Sequence, residues 1–217
     1  MKKKLIIAIL LITTTLFSCS NTNEYVAAFE EATTAMSEVT SNDELDYVNW
    51  QLIEKICYLY QADKSSSYKD NLEAIETAFN TYWDTMKSKA TDNHGLWVPY
   101  PSIENAARYT SGWKDIDATK AISKIVSIYE DATKSLQHVE GNSEAERIND
   151  KTAKDLMWAV SANDEVLCQI LISAEIRRAE ADYNNVIETR HLGVGAFRRP
   201  AIEEYVLEVG KEQFSNE

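Results

Sequence analysis

The feature that most limits what this chain can fold into is where its backbone breakers stand. All six glycines (Gly95, Gly112, Gly141, Gly193, Gly195, Gly210) and all three prolines (Pro99, Pro101, Pro200) fall into a few clusters, so that residues 1–94 and 142–192 contain neither. Hairpins and tight turns rely on these two residues, and long runs without them predict helices rather than strands.

The apolar spacing agrees. Residues 24–40 place Tyr25, Ala28, Phe29, Ala32, Met36 and Val39 on one side of a helix. Ser41 and Glu44 then form a capping box, opening a helix over 44–62 whose stripe is Leu45, Val48, Leu52, Ile56 and Leu59. Tyr47, Trp50 and Tyr58 lie off that stripe and predict a second contact face. Tyr68, Leu72, Ile75, Phe79, Tyr82 and Met86 step by 4, 3, 4, 3, 4 through a helix over 68–90. Ala118, Ile122, Ile125, Tyr129, Ala132 and Leu136 repeat that stepping behind Asp117, with Gly141 as the stop. Ser102 caps a short helix over 103–109, and 144–161 and 164–190 read as two helices or one kinked one. Pro200 opens a last helix with Ile202, Tyr205, Val206, Val209 and Phe214 on its apolar face. Seams of this kind pack antiparallel. The expected fold is all-α, a bundle of about six to eight mostly antiparallel helices forming one domain over 24–217. Residues 29–36 (FEEATTAM) resemble residues 129–136 (YEDATKSL), which predicts two repeated halves.

The first residues carry an address. Lys2, Lys3 and Lys4 precede an apolar run from Leu5 to Phe17, the pattern of a signal peptide over 1–18. That run is too short to span a bilayer, which needs roughly 20 apolar residues. Its end, Leu16-Phe17-Ser18-Cys19, resembles the lipobox of bacterial lipoproteins. The resemblance implies cleavage before Cys19, acylation of that cysteine, and a protein lipid-anchored to a membrane of the bacterial cell envelope. Several acyl chains hold such a protein firmly. Behind Cys19, in the segment 19–23, Ser20 to Asn23 would form a tether reaching at most about 14 Å.

Loss of residues 1–18 removes three lysines and no acid, taking the formal charge from −13 to −16. An acidic chain of this kind lacks the Lys and Arg that neutralise nucleic-acid phosphates. It is also unsuited to adsorb to anionic lipid by charge. Cys57 and Cys168 lie within apolar helical patterns and read as buried thiols, with a single bridge as the alternative.

Catalytic motifs are sparse. There is no G-x-S-x-G, no phosphate-cradling glycine loop and no His-Glu-x-x-His. Glu188 and His191 have the i, i+3 spacing of helical di-iron sites, but no second Glu-x-x-His exists, so no metal or cofactor is expected. The irregular stretch 91–116 is the better candidate site. Trp97, Tyr100, Tyr109 and Trp113 are side chains on which sugars and peptides stack, or else anchors plugging the end of the bundle. Arg198 and Arg199 precede a helix start, where cations are disfavoured, so either Glu203 and Glu204 or an anionic ligand should neutralise them. These features predict a membrane-tethered binding or adaptor module for an envelope protein, peptide or glycan. A helical hydrolase or metal-dependent enzyme, and a purely structural lipoprotein, are the rival expectations.

Overall fold

The computed structural model describes residues 23–90, 99–192 and 199–211. Among these residues the chain is all-α, with nine α-helices, two 3-10 turns and no strand. Helix α1 (Glu24–Glu38) starts at Asn23, whose side-chain oxygen accepts the Tyr25 N–H at 2.9 Å. Helix α2 (Asn42–Ala62) starts at Ser41, which accepts the Glu44 N–H. The Glu44 carboxylate reaches back to the Thr40 N–H at 2.8 Å, one residue before the partner a capping box predicts. Beyond α2, Asp63 accepts the N–H groups of Ser67 and Tyr68, and these bonds hold its carboxyl down at about 2. They also start a 3-10 turn over Ser67–Asn71, so α3 (Leu72–Lys89) begins four residues later than its heptad spacing predicts. Leu72 consequently leaves the seam and stands 52% exposed.

Helix α4 (Ile103–Tyr109) is capped by Ser102 as predicted. Helices α5 (Thr119–Leu136) and α6 (Asn142–Ser161) follow, with Gly141 as the extended residue before α6 rather than the stop of α5. The expected helix over 164–190 is broken. A 3-10 turn (Asp164–Val166) leads into α7 (Leu167–Ile172), Ser173 turns extended, and α8 (Ala174–Thr189) restarts under the Ser173 hydroxyl. The cause is burial: Leu167, Cys168, Gln169, Ile170 and Ile172 are all inside, whereas α8 is one-sided. Helix α9 (Ile202–Val209) ends the described chain.

The helices form two cores. One joins α1 to α4 around Phe29, Met36, Ile56, Tyr82 and Met86, and the other joins α5 to α9 around Tyr129, Leu136, Leu156, Tyr183 and Ile187. The halves repeat: α1 packs on α3 as α5 packs on α8, α1 meets α2 as α5 meets α6, and α4 rests on α2 as α9 rests on α6. Residue numbers shift by 100 across the first two helices of each half and by 101 across the third. A buried polar contact sits at the same place in both. The Tyr82 hydroxyl donates to the Asn49 side-chain oxygen at 3.0 Å, and the Tyr183 hydroxyl donates to that of Asn149 at 2.8 Å. The resemblance between residues 29–36 and 129–136 is thus the visible part of a repeat spanning both halves.

The halves meet where α2 lies on α8. The Ala174 N–H donates to the Glu54 carboxylate at 3.3 Å, the Arg177 guanidinium sits 4.4 Å from the Trp50 ring centre, and that of Arg178 5.1 Å from Tyr47. Tyr47 and Trp50, off the α2 stripe, therefore do form a second contact face. Gln61 donates to the Thr110 carbonyl, and Gln169 to those of Lys114 and Ile116, pinning the link between the halves from both sides.

Asn49 also donates to the Pro99 carbonyl at 3.0 Å. Asn49→Ala should therefore strand the buried Tyr82 hydroxyl and the half-buried Pro99 carbonyl and cost about 2–4 kcal/mol, whereas Tyr82→Phe should cost only about 1–2. Urea unfolding of the two variants checks the difference. Equal losses would mean that the bond does not govern α2–α3 packing.

Candidate functional site

The candidate residues do not converge. Trp97 and Arg198 lie outside the described residues. Tyr100 leads into α4, where its carbonyl accepts the Asn105 side-chain N–H, and its ring stacks on Trp83 of α3 with centroids 4.2 Å apart and a 28° tilt. Phe79 extends the stack at 6.1 Å from Trp83. Tyr100 keeps 51% of its surface exposed. Trp113 lies beyond the other end of α4, edge-on to Tyr58 at 4.9 Å. Tyr109 packs against the first core, and burial raises its hydroxyl pKa. The short α4, about 10 Å long at 1.5 Å per residue, thus separates an open aromatic stack from two anchoring rings. Among the described candidate aromatics Tyr100 is the exposed one, Tyr109 and Trp113 being half-buried.

Arg199 belongs to the other half, paired with Glu188 at 2.8 Å. Arg199 thus takes Glu188 rather than Glu203, which approaches Arg177 at 3.8 Å. Arg190 donates to the carbonyls of Leu136 and Val139, a cation at the end of α5 where the helix dipole favours it. Glu188 is engaged by Arg199, and His191 adopts the left-handed conformation (φ 53°) that closes α8, with the Leu192 N–H donating to the Ile187 carbonyl. Glu188 and His191 serve helix ends. Among the described residues no group of three histidines, cysteines or carboxylates is placed to hold a metal.

Three carboxyls have raised pKa values, the mark a hydrolase reading asks for: Glu54, Glu180 and Asp182, the last lifted by burial against the pull of Arg178. Burial lifts Glu54 to about 7, the Ala174 N–H opposing and Glu175 adding to it. Burial also raises Glu180, against the pull of Arg177 and of the Ile202 N–H at 3.2 Å. Glu54 and Glu180 each accept from the start of a helix, Glu54 at α8 and Glu180 at α9, and so fasten one element to another. Cys57 and Cys168 are free, buried thiols. Burial pushes Cys57 up to about 12, with Glu54 and Cys168 adding to the shift.

A feature absent from the sequence reading is a groove of about 770 Å³ between α1 and α3. Glu30, Asp70 and Glu73 line it with Thr33, Thr77 and Thr81 over a floor of Ala74 and Ala78. The signal in the sequence was a run of threonines and alanines at helical spacing on the polar side of two helices, which reads as ordinary surface.

Glu54 sets a pH dependence. Its folded pKa lies above that of a free carboxyl, so the stability it contributes is full below about pH 4.5 and is lost as the pH rises to 7. Glu54→Gln keeps an acceptor for Ala174 and should raise stability at pH 8 by up to about 3 kcal/mol while changing little at pH 4. Thermal melts at both values check this, and a gain at pH 4 equal to that at pH 8 would refute it.

Comparison with known proteins returns no matching family model, no matching curated protein and no matching solved structure, so a functional reading of this chain rests on its own residues.

Proposed function

We propose that the protein is a lipoprotein of the bacterial cell envelope, anchored through acylated Cys19, whose helical domain is a binding or adaptor module for an envelope protein, peptide or glycan. The observation that carries the reading is the Tyr100–Trp83–Phe79 stack. An aromatic ring held flat on a second ring, with half its own surface free, is pre-organised to receive a sugar face or an apolar side chain. Tyr100 loses little freedom when a ligand arrives, because Trp83 already fixes its plane. No described helix is long and apolar enough to cross a membrane.

Both parts of the proposal have a test. Cys19→Ser should abolish incorporation of an alkyne-labelled fatty acid and release the chain from the membrane fraction. Continued labelling would sink the lipobox reading. A thermal-shift screen of glycans and peptides should find a stabilising ligand, and Tyr100→Ala should weaken that ligand by about 1–2 kcal/mol, five- to thirtyfold in Kd. Trp83→Ala should do the same through Tyr100. A ligand whose affinity neither change alters binds elsewhere.

A further inference from the structure

The junction between the halves leaves two faces unused. Helix α2 lies on α8, yet α3 and α6, which hold the exchanged positions, make no comparable contact among the described residues. A two-fold relation would produce each contact twice, so the halves are related head to tail. Such a relation leaves one unmatched donor face and one unmatched acceptor face.

The donor is the outer side of α6. Where α2 carries Tyr47, Gln51, Glu54 and Tyr58, α6 carries Arg147, Lys151, Lys154 and Trp158. All four are exposed, and Trp158, at 76%, is the most exposed of the large apolar side chains described. The acceptor is the groove between α1 and α3. Its Glu73 and Thr77 stand where α8 has Ala174 and Arg178, which receive Glu54 and Tyr47 inside the molecule. Glu30, Asp70 and Glu73 line this groove, and among the described residues no cation does.

We propose that the α3 side of the groove is occupied by a second copy of this chain: α6 of one molecule lies along α3 of the next, repeating between molecules the α2-on-α8 junction. The charges favour that register. Lys154 takes the place of Glu54 and falls opposite Glu73, while Arg147 falls opposite Thr77 beside the groove acids. Asp150 opposite Glu76 is the one unfavourable pair. The contact is weaker than the internal junction for a second reason. There the apolar α7 is buried beside α2, whereas its counterpart in the first half, Ser67–Asn71, buries no residue. Association is therefore reversible and salt-sensitive, since exposed charges are screened over about 10 Å at 0.1 M salt. Trp158 supplies the apolar anchor that a charged contact needs.

The test uses full-length chains carrying two different tags and produced together in cells, with Trp158→p-benzoylphenylalanine in one of them. Irradiation should join the two tagged forms, and the cross-linked peptides should come from the Ser67–Asn71 turn or the start of α3 of the other copy. Lys154→Glu should lower the yield by at least roughly fivefold, the scale of losing an exposed ion pair of about 1 kcal/mol and adding a repulsion. Glu73→Lys in the other copy should restore it. Both residues are exposed, so neither change threatens folding. Cross-links confined to one copy, joining α6 to α6, reaching only a different protein, or absent altogether would overturn the proposal, as would failure of the charge swap.

Discussion

Each half of this protein depends on one buried hydrogen bond between an asparagine on its second helix and a tyrosine on its third. Apolar burial holds these helices together but has no direction, and it would tolerate several registers. The Tyr82 hydroxyl and the Asn49 amide admit only one. A net hydrogen bond contributes about 1 kcal/mol, whereas an orphaned buried partner costs about 1–3. Slippage of α3 along α2 is thus opposed less by the bond gained than by the groups it would strand. Asn149 and Tyr183 impose the same condition on α6 and α8. With the third helix fixed in each half, α8 presents Arg177 and Arg178 to Trp50 and Tyr47, and the halves can join.

Differences between matched positions follow from surroundings. Phe79 is part of an open aromatic stack, and its counterpart Glu180 is enclosed and fastened to the start of α9. Phe29 is wholly apolar, while its counterpart Tyr129 adds a hydroxyl that donates to the Pro200 carbonyl. Trp50 packs under a guanidinium in the junction, and Asp150 faces solvent. One framework therefore carries two sets of chemistry. The polar substitutions appear where a helix start must be held or where water is met.

Much of the architecture was legible because helices advertise themselves locally. Caps at Ser41 and Ser102, apolar stripes and breaker clusters located α1, α2, α4, α5 and α6 to within a few residues. The α7–α8 break was hidden because its cause, burial of Leu167 and Ile170 in the second core and of Ile172 in the first, is tertiary. The repeat was visible only over eight residues, since elsewhere it survives as pattern: Asn with Asn, Tyr with Tyr, but Glu54 with Lys154. The candidate site fared less well. Aromatic residues in a loop look alike in sequence whether they stack in the open, as Tyr100 does, or anchor a helix end, as Trp113 does. The groove between α1 and α3 is lined by short threonine and alanine side chains, a pattern that in sequence reads as ordinary helix surface.

The link between the halves, residues 110–118, has its Thr110 carbonyl held by Gln61 and its Lys114 and Ile116 carbonyls held by Gln169. A connection gripped at both ends cannot act as a swivel. The two cores therefore tumble as one particle with a single rotational correlation time, and a torque applied to either half is passed to the other without slack.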